Sequence, residues 1–97
     1  MKELIKLGFK YIKTTNDNKM IFKQVKEYDG KFLGVKKDTK VLIFNLNSKR
    51  VFMNRVVEQG KTEHFEPFCA DIELLNAIAE FMKICKNAWQ NFNYMLY

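Results

Sequence analysis

The sequence predicts an α+β fold: a short N-terminal helix, an antiparallel β-meander of about five strands and a long C-terminal helix packed on one sheet face. Three observations carry that prediction. Apolar residues between Phe9 and Gln59 recur with the two-residue period of strands. Polar turn signals interrupt them at short intervals, which leaves room for hairpins but not for the long crossovers that parallel pairing needs. Beyond Pro67 the apolar spacing lengthens to three and four residues, the period of a helix. At 97 residues, 47% of them hydrophobic, the chain can build one core and not two, so residues 1–97 are expected to form a single domain.

The elements follow in order. "KELIKLG" suits a short helix, with Leu4 and Leu7 one turn apart and Gly8 placed to end it in a left-handed conformation. "FKYIKTT" then alternates as a strand, and "NDN" at 16–18 supplies residues that tolerate positive φ in tight turns. "KMIFKQVKEY" forms the second strand. Asp29 and Gly30 are the strongest local turn signal, since a two-residue type I′ hairpin needs positive φ at both central positions. "KFLGVKK" is the third expected strand, "KDTK" a turn, "VLIFNL" the fourth strand, "NSK" a turn, and "RVFMNRVVEQ" the fifth, ended by Gly60.

Both parities of the last two strands are partly apolar. Leu42, Phe44 and Leu46 alternate with Val41 and Ile43, while Val51, Met53 and Val57 alternate with Phe52 and Val56. A sheet with one wet face alternates more cleanly, so these strands are expected to be covered on both sides or to offer an apolar patch to a partner. After the irregular "KTEHFEPF", Asp71 suits a helix N-cap, and Leu75, Ile78, Met82, Cys85 and Trp89 form an apolar stripe. The ending "WQNFNYMLY" crowds aromatic residues where a polar tail is usual. Trp89, Phe92, Tyr94 and Tyr97 are therefore candidates for core packing, a dimer contact or a protein-binding surface.

Seventeen Lys and Arg against eleven Asp and Glu give a formal charge of +6. That balance favours acidic partners such as nucleic acid or an acidic protein, and also serves solubility. Two cysteines, Cys69 and Cys85, are too few for a disulfide scaffold and suit reduced thiols in a cytoplasmic protein. The chain has no apolar run of the roughly 18 residues that suggest a membrane span, and no signal-peptide core. No membrane partner is expected.

Catalytic patterns are missing. His64 is the sole histidine, and no nucleophile elbow or Cys-x-x-Cys clamp accompanies it, so neither an enzyme nor a metal site is expected. The glycines at 8, 30, 34 and 60 are dispersed, which excludes a phosphate-cradling loop, and no cofactor is predicted. Glu58, Glu63, Glu66 and Asp71 read as a solvated acidic approach to the helix.

Nucleic acid is the more serious case. The order of elements is similar to that of the double-stranded-RNA-binding domain, but the basic helix start is absent: here the helix opens "DIELLNAIAE". "KRVFMNRV" does not reproduce the RNA-recognition pattern either. What remains is a diffuse set of cations on strands and turns, Lys23, Lys26, Lys31, Lys36, Lys37, Lys40, Lys49, Arg50 and Arg55, of which Lys36, Lys37, Lys40, Lys49, Arg50 and Arg55 are the candidate nucleic-acid contacts, with Tyr11, Phe32 or Phe52 available for stacking. Lysines also protect strand edges from aggregation, and Arg50 and Arg55 have opposite parities, so one strand cannot aim both at one phosphate backbone without a twist or bulge.

"LGFKYIKTTNDNKMIFKQ", "VLIFNLNSKRVFM" and "DIELLNAIAEFMKICKNAW" together resemble small proteins encoded in phages and prophages of low-GC Gram-positive bacteria. The matching positions are Leu7, Gly8 and Phe9; Ile43, Phe44, Lys49 and Val51; and Glu73, Leu74, Ala77, Ile78 and Trp89. The chain departs from that pattern at Asn87 and Ala88, where Leu-Gly would precede the tryptophan. The resemblance implies an accessory protein that acts by binding a host protein or nucleoprotein, for example a defence factor, to modulate or inhibit it. The alternative is a sequence-nonspecific nucleic-acid binder using its basic strand residues; homodimerisation is compatible with either.

Overall fold

The computed structural model describes residues 2–31 and 33–83. Helix α1 spans Lys2–Lys6, followed by strands β1 (Lys10–Thr14), β2 (Lys19–Glu27), β3 (Val35–Asn45), β4 (Arg50–Gln59) and β5 (Thr62–Phe65). A second helix, α2, occupies residues 72–83. The strands pair antiparallel in the order β1-β2-β3-β4-β5. The meander and its α+β class are thus as predicted, though two of its strands differ from the sequence reading.

"KDTK" is not a turn: Asp38, Thr39 and Lys40 lie within the eleven-residue β3, which joins the two separately predicted strands. The charged residues are tolerated there because they have partners across the ladder. Asp38 binds Arg55 of β4, and Lys37 sits between Glu27 and Glu58. The fifth strand is instead "TEHF", which the sequence places in an irregular segment: Thr62–Phe65 doubles back on β4 through Gly60, whose φ of +59° makes the reversal and whose N–H donates to the Gly34 carbonyl.

The turn at Asp29 and Gly30 also differs. Positive φ falls on Gly30, Leu33 and Gly34 but not on Asp29, so a two-residue type I′ turn is not formed. Asp29 uses its carboxylate to accept the N–H of Lys31, and the hairpin closes wider, where the Tyr28 N–H donates to the Lys36 carbonyl. The "NDN" and "NSK" turns form as expected, with Asn18 and Lys49 at φ near +60° (61° and 59°). Asn45 closes the second by accepting the N–H groups of Asn47 and Ser48.

One face of the sheet carries the core. Phe22, Leu42 and Phe44 are buried against Leu74, Ala77, Ile78 and Phe81 of α2, with Leu4 of α1 and Phe9 closing one end. The Phe81 ring meets Phe22 and Phe44 edge-on at centroid distances of 5.1 and 4.5 Å, and Phe22 meets Phe44 at 5.6 Å. Three rings meeting edge to face, at interplanar angles of 85°, 78° and 63°, fill the space between helix and sheet with favourable quadrupole geometry. Of the predicted stripe, Ile78 is buried and Met82 packs against the core, but at the start of the helix Leu74 is buried and Leu75 is 50% exposed. Cys85 and Trp89, the rest of that stripe and of the long helix, lie outside the described residues.

Asp71 caps α2, accepting the Leu74 N–H on Oδ1 at 2.8 Å. Removing that acceptor leaves a helix-end donor unsatisfied. Asp71→Ala is expected to lower unfolding free energy by about 1 kcal/mol, read as a lower urea midpoint with unchanged slope.

Candidate binding face

The structure separates the six predicted cations. Ladder register puts Asp38, Lys40, Leu42 and Phe44 of β3 on the helix side, together with Val51, Met53, Arg55 and Val57 of β4. Lys40 and Arg55 are therefore on the covered side. The Lys40 ammonium lies 5.6 Å from the Phe68 ring centroid. Arg55 grips Asp38 through Nε and Nη2 at 3.0 and 2.8 Å and donates Nη1 to the Pro67 carbonyl at 3.3 Å.

That fork-on-carboxylate geometry is the strongest polar contact among the described residues. The Arg55 hydrogen bonds hold the Asp38 carboxyl below its usual value, and burial opposes them only partly. The same contact raises Arg55 further above its already high value. Arg55 is thus occupied in tying β3 to the approach of α2, and a phosphate would have to displace a carboxylate to reach it.

The other four cations lie at opposite ends of the sheet. Lys36 and Lys37 stand near the β2–β3 connection, Lys49 and Arg50 at the β3–β4 turn. Eight strand positions separate Lys37 from Asn45, the partner of Arg50, or about 27 Å of strand. Of the aromatic residues considered for stacking, Tyr11 packs edge-on against Phe22 at 5.6 Å on the helix side, Phe52 is on the opposite face, and Phe32 lies outside the described residues. Trp89, Phe92, Tyr94 and Tyr97 lie outside them too.

The opposite face of the sheet is organised differently. Register aligns its side chains in rows across the strands: Lys19, Asn45 and Arg50; then Lys13, Ile21, Ile43 and Phe52; then Lys10, Lys23, Val41 and Asn54. Val25, Thr39, Val56 and Phe65 come next, and Glu27, Lys37, Glu58 and Glu63 last. Apolar residues thus occupy the second and fourth rows with Lys10 and Lys23 between them in the middle row, while Lys19 and Arg50 stand at one end and Glu27, Glu58 and Glu63, around Lys37, at the other. Among the described residues neither helix lies on this face. Phe52 is 51% exposed and Phe65 78%. Val41, Ile43, Phe52 and Val56 are the second-parity residues that the mixed pattern of β3 and β4 announced; Phe65, Lys10, Lys13 and Ile21 come alongside them only through the β4–β5 and β1–β2 register.

Elsewhere the structure offers little chemistry. His64 Nε2 is 2.8 Å from Glu66 Oε1 on the covered side, Cys69 is exposed and free, and no group of three potential metal ligands converges among the described residues. A cavity of about 230 Å³ between the segment after α1, the sheet and the start of α2 is lined by Leu7, Gln24, Lys26, Lys40 and Asp71 among others, below the size usual for small-molecule sites. No described helix is long and apolar enough to cross a membrane. Comparison with protein-family models, curated proteins and solved structures gives no match to this chain.

Proposed function

We propose that the protein is a non-catalytic binding module, an accessory protein of the phage type its sequence resembles, and that it engages a host protein through the open face of its sheet. The observation that supports this reading is the set of Ile21, Ile43, Val56, Phe52 and Phe65 on the sheet face that neither helix covers among the described residues. Water-exposed apolar groups of this kind mark interaction surfaces, and β-branched aliphatics suit packing against protein better than stacking on bases.

A host-lysate pull-down with and without nuclease tests it. A partner that survives nuclease and high salt, and is lost on Phe52→Lys while the circular dichroism spectrum is unchanged, is the expected result. Retention by Phe52→Lys would remove the face from the binding mechanism. The nucleic-acid reading has one observation in its favour, the cluster of Lys10, Lys13, Lys23 and Arg50, none of which forms an ion pair among the described residues. Captured nucleic acid that is released at high salt, and weakened by neutralising those four, would favour it.

A further inference from the structure

Leu33 stands where the fold gains least from a leucine. Its φ of +53° lies in the left-handed region, where Cβ crowds the following carbonyl and which a bulky side chain seldom adopts. Positive φ elsewhere among the described residues falls on Gly8, Gly30, Gly34 and Gly60, on Asn18 and on Lys49. Glycine has no Cβ to crowd, and Asn tolerates the region through its short polar side chain. Leu33 is the one apolar side chain of the set, and it is 68% exposed. Burial therefore returns little of the conformational cost.

The conformation is imposed by a neighbouring loop. The Gln59 side-chain amide donates to the Leu33 carbonyl, and the Gly60 N–H donates to the Gly34 carbonyl at 2.9 Å. Earlier in the same connection the Asp29 carboxylate accepts the Lys31 N–H at 2.9 Å. The β2–β3 connection is thus fastened to the β4–β5 turn, and the leucine is held outward on a braced loop. Backbone strain that its surroundings over-determine is characteristic of contact sites. A side chain on such a loop also loses little conformational freedom when it is captured, which favours tight contact.

We infer that Leu33 is an anchor that inserts into an apolar socket on a protein partner. The inference rests on the reading that the chain is a protein-binding module, and it adds a contact to that reading. The connection leaves β2 after Glu27 and enters β3 at Val35, so Leu33 lies past the last row of the open face, Glu27, Lys37, Glu58 and Glu63. The chemistry of the side chain selects the class of partner. An aliphatic group offers no ring to stack on bases. One leucine is also too small to hold a chain on a bilayer, where even a single long acyl chain binds marginally. A socket on a folded protein buries it fully, which is expected to be felt as about tenfold or more in affinity.

The probe for the test is the protein that the wild-type chain captures from a nuclease-treated host lysate, identified by mass spectrometry and purified. Leu33→Asn keeps the left-handed conformation at lower conformational cost, so its urea midpoint should equal or exceed that of the wild type. Its Kd for the captured protein should nevertheless rise about tenfold or more. Leu33→Met keeps an apolar chain of similar volume and should bind within about threefold of the wild type. A fold at least as stable that has lost its partner is the result a purely structural leucine does not give.

A lower midpoint for Leu33→Asn assigns the leucine to the fold and overturns the proposal. So does unchanged binding by Leu33→Asn, or a loss with Leu33→Met as large as that with Leu33→Asn. Phe52→Lys separates the anchor from the open face. Loss of the partner with Phe52→Lys but not with Leu33→Asn leaves the face as the binding surface and removes the anchor, and the reverse keeps the anchor and removes the face. A wild type that captures no protein overturns both.

Discussion

Phe22→Ala is expected to remove most of the stability of this protein. Phe22 is fully buried and its ring touches three others, Tyr11, Phe44 and Phe81. Truncation to Ala removes the transfer free energy of the ring and leaves a cavity whose walls belong to two sheet strands and a helix. Those walls cannot close together without shifting the helix, so the cost belongs at the upper part of the usual range, about 3–5 kcal/mol. A domain of this size has about 5–10 kcal/mol in total. Urea unfolding should therefore show a midpoint lowered by half or more. Phe22→Leu, which keeps most of the volume, should cost about 1.5 kcal/mol. Phe52→Ala, on the open face, should change the midpoint little in a monomer. Equal effects from Phe22→Ala and Phe52→Ala at a protein concentration too low for association would mean that the two faces are covered alike.

The contrast between those two phenylalanines was legible in the sequence only in part. Alternation in β3 and β4 separates Leu42 and Phe44 from Val41 and Ile43, and Val57 from Phe52 and Val56, but it does not say which parity a helix will cover. The answer lies in the size of the residues: the large aromatic and leucine side chains of β2 and β3 fall on the parity that meets Phe81, and the smaller β-branched ones on the other. The helix stripe was predicted from Leu75, and the structure buries Leu74 instead. Both leucines fit a three- and four-residue spacing with Ile78, so periodicity alone could not choose between neighbours 100° apart.

The strand errors have a shared physical origin. "KDTK" reads as a turn because Asp and Lys are poor strand formers in isolation, yet each has an opposite charge across the ladder, Asp38 with Arg55 and Lys37 with Glu27 and Glu58. Local propensity could not see partners on neighbouring strands, ten or more residues away. The same long-range pairing dispersed the predicted cation set: Arg55 and Lys40 are turned to the helix side, and Lys36 and Lys37 stand far from Lys49 and Arg50. The rows that organise the open face are likewise a property of register, which a one-residue slip would have exchanged between faces.

Asp38→Asn should expose how much the Asp38–Arg55 contact, the strongest polar contact among the described residues, contributes, and acid should erase the difference. The carboxylate is 13% exposed and the guanidinium 31%, so the pair is shielded but not dry, and the loss of the charged hydrogen bonds at neutral pH is expected to cost about 1–2 kcal/mol. The sign of the pH dependence follows from the direction of the shift. The folded-state carboxyl of Asp38 is held below its usual value, first by hydrogen bonds from Arg55 and then by the charges of Arg55, Lys40 and Lys26. A group depressed in the folded state stabilises fully above its unfolded value, about 3.9, and that contribution is lost as pH falls through the folded value. Arg55 stays protonated across the whole window. Wild type and Asp38→Asn should therefore differ in urea midpoint at pH 7 and converge as pH falls below about 4. A cycle with Arg55→Met separates the pair from the remaining contacts of each residue: with Met at 55, Asp38→Asn should cost almost nothing at either pH. A gap that persisted in acid would assign the loss to packing or to the Asn amide, and the Asp38 charge would then not be what binds β3 to β4 and, through the Pro67 carbonyl, to the approach of α2.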